Sequence, residues 1–152
     1  MSPLRPYPLT RAHRAALLAL QAEALGAEAW TESMVDEEFD RPGGVLLGIG
    51  EPLVGFACAW VVLDELHLLL IAVAASARRQ GLAARLHEGL LEEAAGRASA
   101  GWLEVRADNE PARRFYEAHA WEPVGVRRRY YGDGCDAIVM RRAPLYQPAA
   151  NR

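Results

Sequence analysis

Arg78-Arg79-Gln80-Gly81-Leu82-Ala83 joins two segments of opposite pattern. Before it, residues 66–73 form an apolar run of strand length. After it, Leu82, Leu86 and Leu90 recur four apart within residues 82–95, on one face of a helix. A strand that breaks through a glycine-containing loop into a helix leaves the helix's first backbone N–H groups without partners. Those groups sit at the positive end of the helix dipole, which makes the junction an anion site. Arg78 and Arg79 add two full charges beside it. A diphosphate fits such a junction, so a phosphate-bearing cofactor is the first functional expectation.

The flanking sequence supplies the rest of the fold. Thr10 is placed to cap a first helix with Leu17, Leu20 and Ala24 on one face. Thr31 is placed to cap a shorter second helix that ends near Phe39 and is broken by Arg41-Pro42-Gly43-Gly44. Residues 45–49 and 53–63 read as a hairpin around Gly50-Glu51-Pro52, and Asp64-Glu65 turns into the strand at 66–73. Residues 102–106 form a short strand. Asn109 caps a helix that tolerates Pro111 in its first turn and runs to about His119. Residues 124–130 and 135–142 close the chain as a hairpin over Gly132-Asp133-Gly134. This order predicts a mixed α/β sheet with helices on its faces and a right-handed crossover from Val73 to Trp102. One domain is expected over residues 1–144, with a loose tail at 145–152.

Bulk properties narrow the function. A chain of 152 residues with 51% apolar content supports one domain with a real core. Its net charge of −3 argues against a dedicated nucleic-acid binder. All 17 of its cationic side chains are arginine. The longest apolar run, 53–63, is far shorter than the roughly 20 residues of a membrane span, and residues 1–10 lack the apolar core of a signal peptide. A cytoplasmic location is therefore expected. Cys58 and Cys135 form no disulfide framework, and the histidines His13, His67, His87 and His119 share no metal or triad spacing. No metal is expected, and none of the four histidines is assigned a catalytic role.

Arg78-x-x-Gly81-x-Ala83, set among these elements, resembles the phosphate-loop pattern of the GCN5-related N-acetyltransferase (GNAT) superfamily. Trp102-Leu103-Glu104-Val105-Arg106-Ala107-Asp108-Asn109 and Phe115-Tyr116-Glu117 are similar to the signature of one bacterial family within it. That family acetylates the N-terminal alanine of a small-subunit ribosomal protein. Arg127-Arg128-Arg129-Tyr130-Tyr131 and Asp136-Ala137-Ile138-Val139-Met140 match its closing hairpin, while Trp30-Thr31 and residues 62–65 fit upstream. Two features depart from the pattern. His119-Ala120-Trp121 stands where a glycine usually precedes the aromatic residue, and the loop after Tyr131 is short.

The resemblance implies an acyl-CoA N-acyltransferase fold, whose mostly antiparallel sheet splays between two central strands. It implies acetyl-CoA as cosubstrate, its phosphates held by Arg78, Arg79, Gln80, Gly81, Leu82, Ala83 and Ala84. The pantetheine arm would pair with the backbone of Ile71, Ala72 and Val73, and Asn109 would reach the cofactor as well as capping its helix. It further implies Glu104 as general base, Tyr116 as general acid, and Tyr130 and Tyr131 as walls of an acceptor groove. Each residue also has a purely structural alternative: a salt bridge from Glu104 to an arginine, a core position for Tyr116, ordinary packing for the tyrosine pair. The implied acceptor is the N-terminal peptide of a protein, expected to be ribosomal. A small amine as acceptor, or a non-catalytic acyl-CoA-binding module, are the alternatives. A monomer or weak dimer is expected, with neither nucleic acid nor membrane as partner.

Proton arithmetic favours an α-amine. Roughly a tenth of protein α-amines are neutral at pH 7, against well under a thousandth of lysine side chains. A carboxylate is a weak base and suits the acceptor that needs less help.

Overall fold

The computed structural model describes residues 4–146. In chain order the elements are β1 (Tyr7–Pro8), α1 (Arg14–Leu25), α2 (Glu32–Asp40), β2 (Gly44–Ile49), β3 (Gly55–Val62) and β4 (Glu65–Val73). There follow α3 (Leu82–Ala94), β5 (Ala100–Arg106), α4 (Glu110–Ala118), β6 (Glu122–Arg127) and β7 (Ala137–Arg142). The strands make one sheet in the order β1-β2-β3-β4-β5-β7-β6. Every pairing is antiparallel except β4 with β5.

Alternation along the strands sends apolar side chains to both faces, and a helix pair covers each. On one face Leu82, Leu86, Leu90 and Leu91 of α3 meet Leu47, Leu66, Leu68 and Leu103 of the sheet, with Tyr116 and Trp121 closing the end. On the other, Leu17 and Leu20 of α1 and Val35 of α2 pack on Phe56. Leu86 and Leu90 are fully buried, each stabilising the fold by about 2 kcal/mol through burial alone.

Local signals set most boundaries. The Thr31 hydroxyl accepts from the Met34 N–H at 3.2 Å and starts α2. Asn109 Oδ1 accepts from the Ala112 N–H at 3.2 Å and starts α4. Thr10 instead precedes a short 3-10 turn, Arg11–His13, that runs into α1.

Three details differ from the sequence expectation. The short edge strand β1 pairs with β2 through Tyr7↔Gly48, a contact too brief to leave a periodic signal. β6 ends at Arg127, so Tyr130 and Tyr131 lie in the connecting loop and not on a strand. Leu145, expected in a loose tail, is buried against Gly101 and Trp121, and its N–H donates to the Ser99 carbonyl at 2.9 Å. The remainder of that expected tail, residues 147–152, lies outside the described residues.

The central strands part as expected. β4 and β5 are paired only from Glu65↔Ala100 to His67↔Trp102. At the next turn of β4 the register against β3 slips: Leu68 faces Ala59 while Leu70 faces Cys58, leaving Leu69 as the extra residue of a bulge. A bulge bends its strand and increases its twist. Beyond it, β4 has a neighbour on one edge only.

Candidate active site

The free edge of β4 exposes a specific set of backbone groups. In an antiparallel pair, alternate residues bond across the ladder and the others turn their groups outward. The Ala74 N–H donates to the Val54 carbonyl at 2.8 Å, which fixes the phase. Counting back along the register, Ala72 points its N–H and C=O at β3, whereas Val73 and Ile71 point theirs into the split. Arg78 marks this geometry, since its Nε donates to the outward Val73 carbonyl at 3.1 Å. Of the three residues expected to present backbone to a ligand, Ile71 and Val73 turn their groups to the split and Ala72 turns its groups to β3, while all three line the cavity.

At the end of β4 the loop turns sharply. Arg79 and Gly81 have φ of +64° and +75°. Gly81 is the N-cap of α3 and gives its first turn no side-chain cap, and that turn holds no acidic residue. A Cβ added at Gly81 would meet no atom within 4 Å, so the space above the helix start is open. Arg78, Arg79, Leu82, Ala83 and Ala84 line it, whereas Gln80 does not.

One trough runs from this loop along the free edge. A cavity of about 330 Å³ at the loop shares Val73, Arg78, Ala83 and Phe115 with one of about 530 Å³ along β4. The second shares Ile71, Asn109 and Tyr116 with a third, of about 300 Å³, that ends at Glu104 and Tyr131. α4 forms the opposite wall. Asn109 both caps that helix and lines the trough.

Glu104 lies on β5, where Leu103 and Val105 are buried and Trp102, Glu104 and Arg106 share the other face. Its side chain is 8% exposed. Oε2 lies 2.9 Å from His67 Nε2 and Oε1 lies 3.6 Å from Arg127 Nε. The expected structural alternative, a salt bridge to Arg106 or another arginine, occurs with Arg127 and not with Arg106. Arg106 is bound by Glu28, Asp108 and Asp133, and its guanidinium lies 4.9 Å from the centre of the Tyr131 ring. This arginine therefore ties the segment before α2 to the β6–β7 loop, and both border the third cavity.

Tyr116 serves the core and the trough together. It is buried, stacked edge-on to Phe115 and Trp121, and lines the second and third cavities. Burial, and secondarily the Tyr131 hydroxyl, push its pKa well above that of an ordinary phenol. Tyr131 is pushed up to about 12, first by burial, then by Tyr130 and Glu104. Tyr130 packs on Tyr131 with ring centroids 5.1 Å apart, but it is half exposed and outside the trough.

Sequence reasoning missed His67 and Arg106. His67 meets Glu104 across a parallel rung 37 residues away, a pairing that no local spacing encodes. The cluster of acids around Arg106 is equally non-local, although Asp108 two residues on offered a partial signal. Among the described residues, no group of three or more His, Cys, Asp or Glu is arranged to hold a metal ion.

Comparison with known proteins agrees with this architecture. Residues 14–121 match the family model described as the acetyltransferase (GNAT) family. The ribosomal protein bS18-alanine N-acetyltransferase of Escherichia coli K12 is 45% identical over 92 residues, covering 58% of this chain and 62% of that protein. The chain thus spans under two thirds of the length of the first curated relatives it matches. N-alpha-acetyltransferase RimI of Mycobacterium tuberculosis is 33% identical over 142 residues, 88% of this chain and 89% of that one. Among solved structures, the E. coli ribosomal-protein-S18-alanine N-acetyltransferase superposes with a TM-score of 0.85 at 30% identity, covering 97% of both chains. Arabidopsis thaliana NAA60 in complex with acetyl-CoA gives 0.83 at 17% identity over 93% of this chain and 98% of that one, a likeness of fold. A split sheet with an open cradle at its loop, and a family model matched across most of its length, lead to one conclusion: this chain belongs to the acetyltransferase (GNAT) family.

Proposed function

We propose that this chain is a RimI-like, acetyl-CoA-dependent N-acetyltransferase whose acceptor is the N-terminal α-amine of a protein, the N-terminal alanine of a small-subunit ribosomal protein. The observation that carries the reading is the single trough, with an anion cradle at one end and Glu104 and Tyr116 together on the walls of its other end.

The residues present fit acetyl-CoA. The open space above Gly81, the uncapped first turn of α3 and the two arginines suit a diphosphate. The outward groups of Ile71 and Val73 suit an extended amide-bearing arm added as a strand. When bound, acetyl-CoA supplies an acetyl thioester.

The chain's own groups do the rest. Ile71 and Val73 fix the arm along β4, and Arg78, Arg79 and the backbone from Gly81 to Ala84 hold the phosphates. Glu104 takes a proton from the acceptor ammonium, directly or through water, and frees its lone pair for attack. Tyr116 keeps its proton across the working pH range because burial disfavours the phenolate, and its Oη gives that proton to the leaving sulfur. Transfer is direct: Cys58, on β3, is buried against Glu38, and neither cysteine lines the trough. Tyr131 walls the acceptor end. Tyr130 stands at its rim, where an incoming peptide would pass. We place the reaction in the cytoplasm. Among the described residues, no helix is long and apolar enough to cross a membrane.

The test is mass spectrometry of peptides incubated with acetyl-CoA. A ribosomal peptide beginning with alanine should gain one acetyl group at its α-amine. No gain refutes the peptide assignment, and faster turnover of polyamines or other small amines in competition transfers the assignment to them. Tight acetyl-CoA binding with no turnover of any amine points to a binding module.

A further inference from the structure

His67 stands on the last rung that β4 and β5 share, opposite Trp102. Its ring lies flat on the Trp102 indole, with centroids 3.9 Å apart and planes 8° from parallel, and it meets Trp60 edge-on at 5.6 Å. Nε2 is 2.9 Å from Glu104 Oε2. The imidazole does not line the trough, whereas Glu104 does. His67 thus holds the carboxylate without itself lining the trough.

The surrounding charges can be named from every side. On β5 the neighbour is Glu104 itself. From β6, Arg127 approaches the other oxygen of Glu104. On β3 and α2, Trp60 intervenes, with Glu38 accepting from its N–H and Arg41 over its face. Two rungs back, Glu65 is engaged by Arg141 of β7. Among the described residues, the one carboxylate that contacts His67 is that of Glu104.

A carboxylate this buried needs a donor for structural reasons alone. His67 supplies more than a donor. Two aromatic rings fix its orientation, it contacts one oxygen only, and its ring has a second nitrogen that can take a proton.

We propose that His67 is a positioning residue for Glu104: its Nε2–H donates to Oε2 and aims the carboxylate into the acceptor end of the trough. The inference rests on Glu104 serving as the base. The acceptor ammonium loses two protons: Glu104 takes the first and passes it to solvent, and the second, released as the N–C bond forms and the C–S bond breaks, replaces the proton that Tyr116 gives to the leaving sulfur. When the imidazole takes a proton at Nδ1, its full charge joins that of Arg127 beside the carboxylate. Two cations stabilise the ionised form and weaken it as a base. The rate therefore falls on the acid side, with a limb that belongs to His67.

Four proteins test this: the wild type, His67→Gln, His67→Phe and Glu104→Gln. The measurements are pH profiles of kcat and kcat/KM with an alanine-initiated peptide, acetyl-CoA affinity, and NMR titration of the imidazoles without cosubstrate. His67→Phe keeps the aromatic stack and loses the donor, so kcat should fall on the order of tenfold, part of the 10²–10⁴ that a positioned base supplies, with acetyl-CoA affinity unchanged. His67→Gln keeps an N–H donor that does not titrate, so it should recover most of kcat and lose the acid limb. In Glu104→Gln the His67 titration midpoint should move down, because its anionic partner is gone. Wild-type kcat in His67→Phe, a His67→Gln as slow as His67→Phe, or an unmoved midpoint each overturns the proposal. Wild-type turnover in Glu104→Gln removes the base itself. A slow Glu104→Gln beside a fast His67→Phe sinks the His67 role alone. If His67→Phe does not fold, the Gln profile and the NMR midpoint decide.

Discussion

Lowering the pH from 7 to 5 should destabilise this domain through one buried ring, His87 of α3. It is 2% exposed, and its Nε2 accepts from Trp121 Nε1 at 2.9 Å. An indole N–H only donates, so Nε2 carries no proton and the ring is neutral. Protonation would point one N–H at another in a buried site. Burial first, then the charges of His119 and Arg142, lowers its pKa from 6.5 to about 3. The unfolded chain, with the ordinary value, binds the proton more readily than the folded one. Stability is therefore fully present above pH 6.5 and lost as pH falls towards 3. Between pH 7 and 5 the linkage amounts to about 2 kcal/mol, a sizeable share of the roughly 5–15 kcal/mol that holds a domain together. The assay is urea unfolding at 25 °C at pH 7, 6 and 5, comparing the wild type with His87→Gln. Glutamine keeps an acceptor for Trp121 and suits a helix interior, but it does not titrate. Asp36, Asp108 and Asp133, all held below the ordinary carboxylate range by Arg14 or Arg106, lose their contribution only at lower pH. The wild type should lose about 2 kcal/mol more than the variant. Parallel slopes for the two proteins would refute the reasoning.

Three further outcomes are expected. Gly81→Val places a branched side chain at φ +75°, in the open space assigned to phosphates; calorimetry should show acetyl-CoA affinity weakened by about tenfold or more, ~1.4 kcal/mol, and unaltered affinity would remove the loop from the cofactor site. Tyr116→Phe keeps the packing against Phe115 and Trp121 and deletes the donated proton; kcat should drop by roughly 10²-fold with the melting temperature nearly unchanged, and an undiminished kcat would leave Tyr116 a core residue only. Ala120 holds φ +69°, in the left-handed region that favours glycine. Ala120→Gly should relieve about 1 kcal/mol of left-handed strain, net of the added entropy of the unfolded chain, read as a raised urea midpoint; a lowered midpoint would show that no strain is stored there.

Elements with local causes were legible before any coordinates. Thr31 and Asn109 cap because their side chains reach N–H groups three residues on. Leu82, Leu86 and Leu90 define a buried face because a helix repeats every 3.6 residues. The alternation in β5 placed Glu104 on the face opposite Leu103 and Val105, as the sheet has it. Features built from distant partners were not legible. The end of β6 at Arg127, which moves Tyr130 and Tyr131 into a loop, follows from pairing with β7, not from residue preference. Leu145 is buried because Gly101 leaves room for it beside Trp121.

What the sequence alone determined was the order of strands and helices, the glycine-bearing junction at Arg78 to Ala83, and the candidates Glu104, Tyr116 and Asn109. Each rests on periodicity, capping or a motif short enough to be read along the chain. What only the tertiary structure decided was which backbone groups face the split, because the bulge at Leu69 and the phase set by Ala74 belong to the pairing of β4 with β3. It also decided the company of Glu104. His67 and Arg127 arrive from strands distant in sequence, and a carboxylate's chemistry is set by the charges within a few ångströms, not by its neighbours along the chain.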